Sequence, residues 1–563
     1  MGPTWDHETD LVVVGSGAAG MLAAIVAASR GQRTIVVERE PTWGGTSAWS
    51  GGGLWMPNNP LMQRDGAGDS PEKALTYMDA CIGEVGPASS PERRKAYVAT
   101  APKVVQFLAD EGVNWVRAEE YPDYYPDRPG GMIGRGVEAD VLDGNKLGDM
   151  RKTLAAMDGM PAMALTTRSV QYLPVAFRTI KGFLGTTRMM LRTLWWRLTG
   201  RDPLPIGNAL LGSLGIIAQR HRIPIWLESP MVELVEENGG VTGIVVEREG
   251  RRERVRAHAG VMLTAGGFAK NSSMRRKYQP VGGEYTSVSP GDQGEAILAG
   301  KRIKAATALM DDAWWGASFL HPDGSTSFSV HERSMPGCIL VGPDGQRFCN
   351  ESASYIDVGH AMLELNPGGD PPPTWLIMDA RHRRRYMFGQ ALPGQTPKEW
   401  FTSGFMKKAD TLRGLAEQCG IDPDGLEAAV QRFNGFARAG RDEDFHRGAT
   451  AYDNYYGDAR NKPNPNLLPI ERGPFLAARM VPGDLGTKGG LLTDEHARVL
   501  RVDGSVIRGL YAAGNTTASV MGRTYPGPGS TLGPSTTFAF LGAQHALDVL
   551  LLGVQQEKQE VSA

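Results

Sequence analysis

The sequence predicts an α/β fold: a parallel-sheet domain split along the chain, with an α+β domain inserted between its two parts. Three observations carry that reading. An apolar β-branched run, Asp10 to Val14, leads straight into the glycine-rich turn Gly15-Ser16-Gly17-Ala18-Ala19-Gly20. In mid-chain, Val261 to Leu263 has the pattern of a second buried strand and ends in Thr264-Ala265-Gly266-Gly267. Near the C-terminus, Gly509-Leu510-Tyr511-Ala512-Ala513-Gly514 repeats that shape. One sheet is therefore opened by residue 10 and completed after residue 500.

The first strand has the composition of one buried on both faces, and Met21 to Arg30 reads as a helix. A second strand, Thr34 to Val37, ends in Glu38 and Arg39. Strand, turn, helix, strand and acid in this register form a dinucleotide fingerprint, hence a Rossmann-like domain. Gly15 allows the tight turn, Gly17 lets a pyrophosphate approach the helix N-terminus, and Gly20 packs helix on strand, with Ser16, Ala18 and Ala19 between them. Glu38 stands where a carboxylate takes the ribose hydroxyls. In the loop Gly44 to Gly53, Gly45, Thr46, Ser47, Ser50, Gly51 and Gly52 offer backbone and small side chains to a flat ring system. NAD-dependent dehydrogenases have no general need of such a loop, so the expected cofactor is FAD. It is expected non-covalent, because no histidyl or cysteinyl attachment site is assignable. The strand ends Ala265-Gly266-Gly267 and Gly514-Asn515 are expected against the same cofactor. Between them, Met231 to Glu249 and Glu253 to Ala257 read as an antiparallel meander turning at Asn238-Gly239-Gly240.

Bulk properties exclude several function classes. A chain of 563 residues has ample core and room for two or more domains. A formal net charge of −2 argues against nucleic acid as a main partner. The 72 glycines fall in loops beside strands and not in a repeat, which excludes collagen-like and low-complexity readings. Cys81, Cys338, Cys349 and Cys419 show no metal-ligand spacing and are expected as free thiols in a reducing compartment. No GxSxG, HExxH or GxxxxGK[ST] motif occurs, the histidines are scattered, and no metal is expected. The N-terminus lacks an apolar signal region and no run is expected to span a membrane, which makes the cytoplasm the default location.

The run Gly522-Arg523-Thr524-Tyr525-Pro526-Gly527-Pro528-Gly529-Ser530 reads as a rigid turn. Its prolines fix φ and carry no N–H, and Gly529 offers an N–H with no side chain in the way. A phenol and an amide held together are what a carbonyl oxygen needs when negative charge builds on it. An apolar helix pattern, Phe538 to Leu552, follows. Ser530, Thr531 and Leu532 lie at or near the start of that helix. Its unpaired N–H groups and positive dipole end suit the pyrimidine edge of a reduced flavin.

The turn GSGAAG, the loop GGTSAWSGGG, the strand end AGG, Arg347-Phe348-Cys349-Asn350-Glu351 and the closing AAGN together resemble the fumarate-reductase-type flavoprotein superfamily. Within it, Tyr121-Pro122-Asp123-Tyr124-Tyr125-Pro126, Val481 to Gly490 and Tyr525 to Gly533 resemble the 3-ketosteroid Δ1-dehydrogenases. Where that family's turn reads TYAGPG, this chain has Pro526, which stiffens it. The resemblance implies desaturation of a 3-ketosteroid between carbons 1 and 2. Tyr525 and Gly529 then form an oxyanion hole at the ketone, Tyr355 takes the carbon-2 proton, and carbon 1 gives a hydride to the flavin. The electrons leave to an external acceptor such as a quinone. Tyrosine is a poor base at its reference pKa of about 10, so Tyr125 is expected as a hydrogen-bonded neighbour that stabilises the phenolate or relays its proton. A 3-ketosteroid 4(5α)-dehydrogenase, a fumarate-type reductase and a flavin-bearing electron carrier are the alternatives.

The expected division is a cofactor domain of residues 1–310 and 484–563, with a catalytic domain of residues 311–483 inserted. The insert is expected to hold helices from Ala409 to Cys419 and from Leu426 to Ala439. Trp314, Trp315 and Phe319 supply apolar bulk suited to a sterol face. From Gly159 to Arg201 there is no Asp or Glu. Helical spacing there aligns Leu191, Leu194 and Leu198, with Trp195 and Trp196 as interfacial tryptophans and Arg188 and Arg192 turned away. That is the composition of a helix lying in a membrane surface, which predicts peripheral attachment to the inner face of the cell membrane. The alternative is a helix packed on the cofactor domain with its arginines in solvent.

Overall fold

The computed structural model describes residues 4–156 and 163–562; residues 159–162 of the acid-free segment lie outside the described residues. The split sheet is present, with eight strands among the described residues. At its centre His7–Val14 runs parallel to Thr34–Val37 on one side, with Leu11 opposite Thr34. On the other side it runs parallel to Arg251–Leu263, with Leu11 opposite Gly260. Val506–Ala512 adds in parallel beyond, pairing Leu510 with Val261. Residues nearly five hundred apart thus share one layer, because each strand is apolar enough to be buried on both faces.

One expectation is corrected here. The last meander strand and the buried strand after it are a single strand, Arg251–Leu263. Its first half pairs antiparallel with Gly240–Arg248 and its second half parallel with Val506–Ala512. The chain changes partners at Gly260, where φ is +138° and a Cβ would stand 2.7 Å from the carbonyl oxygen of Gly509.

The helix Ala18–Ser29 is alanine-rich and buried along most of its length. Against it, and against the long helix Pro91–Asp110, packs the closing helix that begins at Leu532. By length and composition Leu532–Gly553 could cross a membrane, contrary to expectation, yet half of that stretch is buried inside the protein. It serves here as a core helix.

The inserted part has its own antiparallel sheet, ordered Thr326–Phe328, Ala313–Leu320, Phe475–Thr487, Thr374–Met378, Cys338–Val341, with Met406–Ala409 also on Phe475–Thr487. The long strand Phe475–Thr487 runs without a break past residue 484 and so carries the inserted sheet toward the cofactor sheet. The two helices expected there are Leu412–Cys419, capped by Thr411, and Pro423–Ala439, capped by Asp422.

The acid-free segment forms the helix Ile180–Leu198. Leu191, Leu194, Trp195 and Leu198 are each more than half exposed. Trp196, expected beside Trp195 at the surface, is instead buried with Val141 and Ala164, and Arg192 pairs with Asp140 at 3.0 Å. The inner face is Met189, Thr193 and Trp196, so the leucine stripe is left outward.

A buried ion network holds the loop Tyr121 to Pro126 beside Gly53–Trp55. The Arg135 guanidinium donates to Asp69 at 2.7 Å and to Asp123 at 2.7 Å, and Trp55 Nε1 donates to Asp123 at 2.7 Å. Removing one partner of such a buried set leaves charge uncompensated, at a cost of about 3–5 kcal/mol. Arg135→Met should lower the unfolding free energy from chemical denaturation by an amount of that size; an unchanged value would contradict the role given to this network.

Candidate active site

The glycine-rich turn is built by close contact. Gly15 has φ +98°, and a Cβ on Gly20 would stand 1.9 Å from the carbonyl oxygen of Gly15. Only glycine lets the helix start so near the strand end. Ser16 is the tie. Its N–H (3.0 Å) and hydroxyl (2.6 Å) donate to Glu38 Oε2, and its hydroxyl accepts from Gly44 N–H at 2.9 Å. Glu38 thus organises the turn and the following loop, with Oε1 accepting from the Glu40 N–H at 3.0 Å. Arg39 points away to Glu40 and Glu295.

The loop residues meet around this turn. Ala18 N–H donates to Ser47 Oγ at 3.1 Å, Thr46 Oγ1 accepts from Ser289 N–H at 3.0 Å, and Ser50 Oγ accepts from Gly52 N–H at 3.1 Å. Gly51 and Gly266 are fixed through their carbonyls, to Thr167 Oγ1 at 2.7 Å and Thr516 Oγ1 at 2.8 Å. Asn515 Oδ1 accepts from Trp314 Nε1 at 3.1 Å, which joins the inserted sheet to the cofactor strand.

Asp292 was missed by sequence reading. It is buried beside Gly266, its Oδ1 has no partner among the described residues, and burial followed by the nearby Asp484 charge pushes it up to about 7. A buried polar atom without a partner is rare, and this one suits a ribityl hydroxyl. An acid inside Ser289-Pro290-Gly291-Asp292-Gln293-Gly294 was the available signal. A helix N-terminus behind a tight glycine turn, small hydroxyls on the facing loop and this unpartnered carboxylate oxygen fit a pyrophosphate joined to a polyol chain.

The second cluster is aromatic. Tyr355 opens the helix Tyr355–Glu364, and Tyr525 stands in the predicted turn. Their rings meet edge to face at 4.9 Å, and both are buried. Thr531 Oγ1 donates to the Tyr525 hydroxyl at 3.2 Å, and the Gly529 and Thr531 backbones lie close enough to that phenol to oppose its upward pKa shift. Gly529 has φ +92°, and a Cβ there would stand 2.4 Å from the Gly53 carbonyl oxygen. Burial raises the pKa of both phenols, Tyr355 well above its ordinary value and Tyr525 against opposing hydrogen bonds from Thr531, Tyr355 and Gly529.

Tyr125 is not where it was expected. Its hydroxyl donates to Asp357 Oδ1 at 2.9 Å, and Arg128 lies over its ring. Its neighbour Tyr124 is in the cluster instead, stacked on Tyr525 at 5.3 Å and edge-on to Tyr355 at 5.6 Å. The backbone decides this: Tyr124 N–H donates to Pro526 O at 2.9 Å, whereas Tyr125 N–H donates to the Tyr77 hydroxyl at 3.1 Å. Phe328, Tyr452 and Trp314 close the cluster.

Lys488 was also missed, named only within Val481 to Gly490. Its buried ammonium donates to Gly522 O at 2.9 Å and Thr524 O at 2.6 Å and sits 4.4 Å over the Trp314 ring. Burial lowers its pKa to about 7. It holds the backbone on the N-terminal side of Tyr525.

Comparison with known proteins gives four likenesses. The FAD binding domain family matches residues 10–532. The 3-oxosteroid 1-dehydrogenase of Mycobacterium tuberculosis is 45% identical over 96% of this chain and 99% of its own length. The crystal structure of 3-ketosteroid delta1-dehydrogenase from Sterolibacterium denitrificans in complex with 1,4-androstadiene-3,17-dione matches with a TM-score of 0.89, at 39% identity, over 96% of this chain and 99% of that one. A 3-ketosteroid-delta4-(5alpha)-dehydrogenase from Rhodococcus jostii RHA1 shares the fold, with a TM-score of 0.65 at 22% identity, over 97% of this chain and 98% of that one.

Gly20→Ala should abolish flavin binding, because its methyl group meets backbone oxygen and not a side chain that can move. The flavin-to-protein absorbance ratio of the purified variant reads this directly. Full flavin content would contradict the assignment of this turn.

Proposed function

The chain belongs to the 3-oxosteroid 1-dehydrogenases, flavoproteins of the FAD binding domain family, and from that premise we propose how its residues divide the work. The reaction is FAD-dependent removal of the hydrogens on carbons 1 and 2 of a 3-ketosteroid. Residues 1–310 and 484–563 hold the cofactor and 311–483 complete the substrate site. The observation that carries the reading is the meeting of the Tyr355 and Tyr525 rings beside the Gly529 N–H.

FAD, when bound, would supply a two-electron acceptor for the carbon-1 hydride. The protein supplies the rest. Tyr525 and the Gly529 N–H take the ketone oxygen between them, so negative charge moving onto that oxygen meets two donors already in place. That makes the carbon-2 proton removable. Tyr355 receives it. As the first residue of its helix, Tyr355 lies at the positive end of a dipole that favours a phenolate. Tyr124, Tyr452, Phe328 and Trp314 wall the site with rings and keep water from the ketone. Tyr125 acts one step removed, by holding Asp357 on the same helix as Tyr355. Reoxidation is assigned to an external acceptor of the quinone class.

We further propose peripheral membrane contact through the helix Ile180–Leu198. Its exposed leucines and Trp195, flanked by Arg188 and Arg201, form an apolar face rimmed by cations. A substrate that partitions into lipid would reach the enzyme there. Co-sedimentation with vesicles rich in anionic lipid should fall at least tenfold when Leu191, Leu194, Trp195 and Leu198 are all replaced by Ser; unchanged sedimentation would rule this helix out.

Mixing the flavin-loaded protein anaerobically with a 3-ketosteroid saturated at carbons 1 and 2 should bleach one equivalent of flavin and yield the 1-ene. A new double bond elsewhere, or no bleaching, would defeat the proposal. Tyr355→Phe should slow that bleaching by about 10²–10⁴ with steroid binding retained, and Tyr525→Phe by about 10²–10³ with weaker ketone binding. Because burial holds the proton on Tyr355, the phenolate fraction, and with it the wild-type bleaching rate, should rise with pH. A pH-independent rate would remove Tyr355 as the base.

A further inference from the structure

Arg93, on the helix Pro91–Asp110, is 2% exposed and meets no carboxylate among the described residues. One guanidinium nitrogen donates to the carbonyls of Ala88 and Ala518, the latter at 3.1 Å. The group lies 4.7 Å over the Phe538 ring, and its Nε has no partner. Burial pushes its pKa down to about 10, with only the more distant Asp494 and Glu495 charges opposing.

Most of the buried arginines here are paired differently. Arg135, Arg275, Arg347, Arg381 and Arg447 each contact a carboxylate. Arg333 and Arg383 resemble Arg93 in being held by carbonyl oxygens. What sets Arg93 apart is its position on a small, partly open cavity, which it lines with Gly514, Asn515, Ser530, Thr531 and Ser535. Those residues belong to the cofactor strand end and to the start of the closing helix, where a positive dipole end already points. Two sources of positive potential therefore converge on one cavity that has no protein anion in its lining. Keeping an unpaired charge buried costs several kcal/mol, which makes sense when the anion comes with the cofactor.

We infer that Arg93 is the fixed cation for the pyrimidine edge of the bound flavin, meeting the negative charge that reduction places on its N1–C2 carbonyl region and so raising the flavin's reduction potential. This rests on the FAD reading above, and flavin content, measured separately, distinguishes a failure of that reading from a failure of this one. Arg93 is a further cofactor-tuning residue for the same reaction. It also fixes how strong an oxidant the enzyme brings to the steroid.

The test uses flavin-loaded wild type, Arg93→Met and Arg93→Lys. Two readouts avoid turnover: the two-electron potential, by equilibration with a reference dye, and the dissociation constant of sulfite. Sulfite bonds through sulfur to the flavin N5 without a leaving group, and the added negative charge settles on the same N1–C2 region. Arg93→Met should weaken sulfite binding at least tenfold and lower the potential by about 30 mV for each tenfold change in the two-electron equilibrium. Arg93→Lys should recover most of both. Loss of flavin from the Met variant but not from the Lys variant also supports a role for the charge. A loaded Met variant with wild-type potential and sulfite affinity would overturn the inference. So would failure of both variants to fold, which assigns Arg93 to packing alone.

Discussion

The carbonyl oxygen of Pro526 is the contact on which the site depends. It accepts from the Tyr124 N–H at 2.9 Å and from the Tyr77 hydroxyl, joining two loops that lie far apart along the chain. Proline has no N–H to offer, so this carbonyl is what the turn has for crossing to the Tyr121–Pro126 loop. Lys488 grips the turn from the other side through the carbonyls of Gly522 and Thr524. Pinned at both ends, Tyr525 has little freedom to leave Tyr355 and Gly529. The Arg135 network in turn fixes the loop that brings Tyr124 in, by holding Asp123 in place.

Much of this was legible in the sequence. The glycine turn, the apolar strands around it and the turn carrying Tyr525 and Gly529 each have local signatures, because backbone geometry there admits few residue types. The closing helix was legible too, its start expected near Ser530 to Leu532 and found at Leu532. Other features were hidden because they are matters of parity or distance. Two adjacent tyrosines, Tyr124 and Tyr125, face opposite ways, and only their backbone partners decide which one joins Tyr355. Glu38 reads as a ribose ligand by spacing, yet its carboxylate is engaged with Ser16, a contact no spacing rule describes. Lys488 and Asp292 sit in Gly-rich stretches that read as plain loops.

Charge is arranged in a consistent sense around the two clusters. Near the cofactor cavity are Arg93, the start of the closing helix and, behind Trp314, the Lys488 ammonium. Around the tyrosines the walls are aromatic, and burial keeps both phenols protonated in the protein alone. On the proposed reading such a site stabilises negative charge only where a ligand brings it: on a ketone oxygen at Tyr525, on the phenolate at Tyr355, on the flavin edge at Arg93. Desaturation needs all three to share charge in sequence. On the proposed membrane contact, a helix rich in leucine and arginine at the surface would add a route for an apolar substrate without altering that chemistry.

The central claim is that Tyr525 and Gly529 grip one ketone oxygen while Tyr355 faces the adjacent carbon. A crystal structure of the protein with FAD and a 3-keto-1,4-diene steroid tests it most directly. The account predicts the 3-keto oxygen at about 2.7–3.1 Å from both the Tyr525 hydroxyl and the Gly529 nitrogen, with carbon 2 beside the Tyr355 hydroxyl. A steroid bound in the site with its ketone on any other donor pair would contradict it.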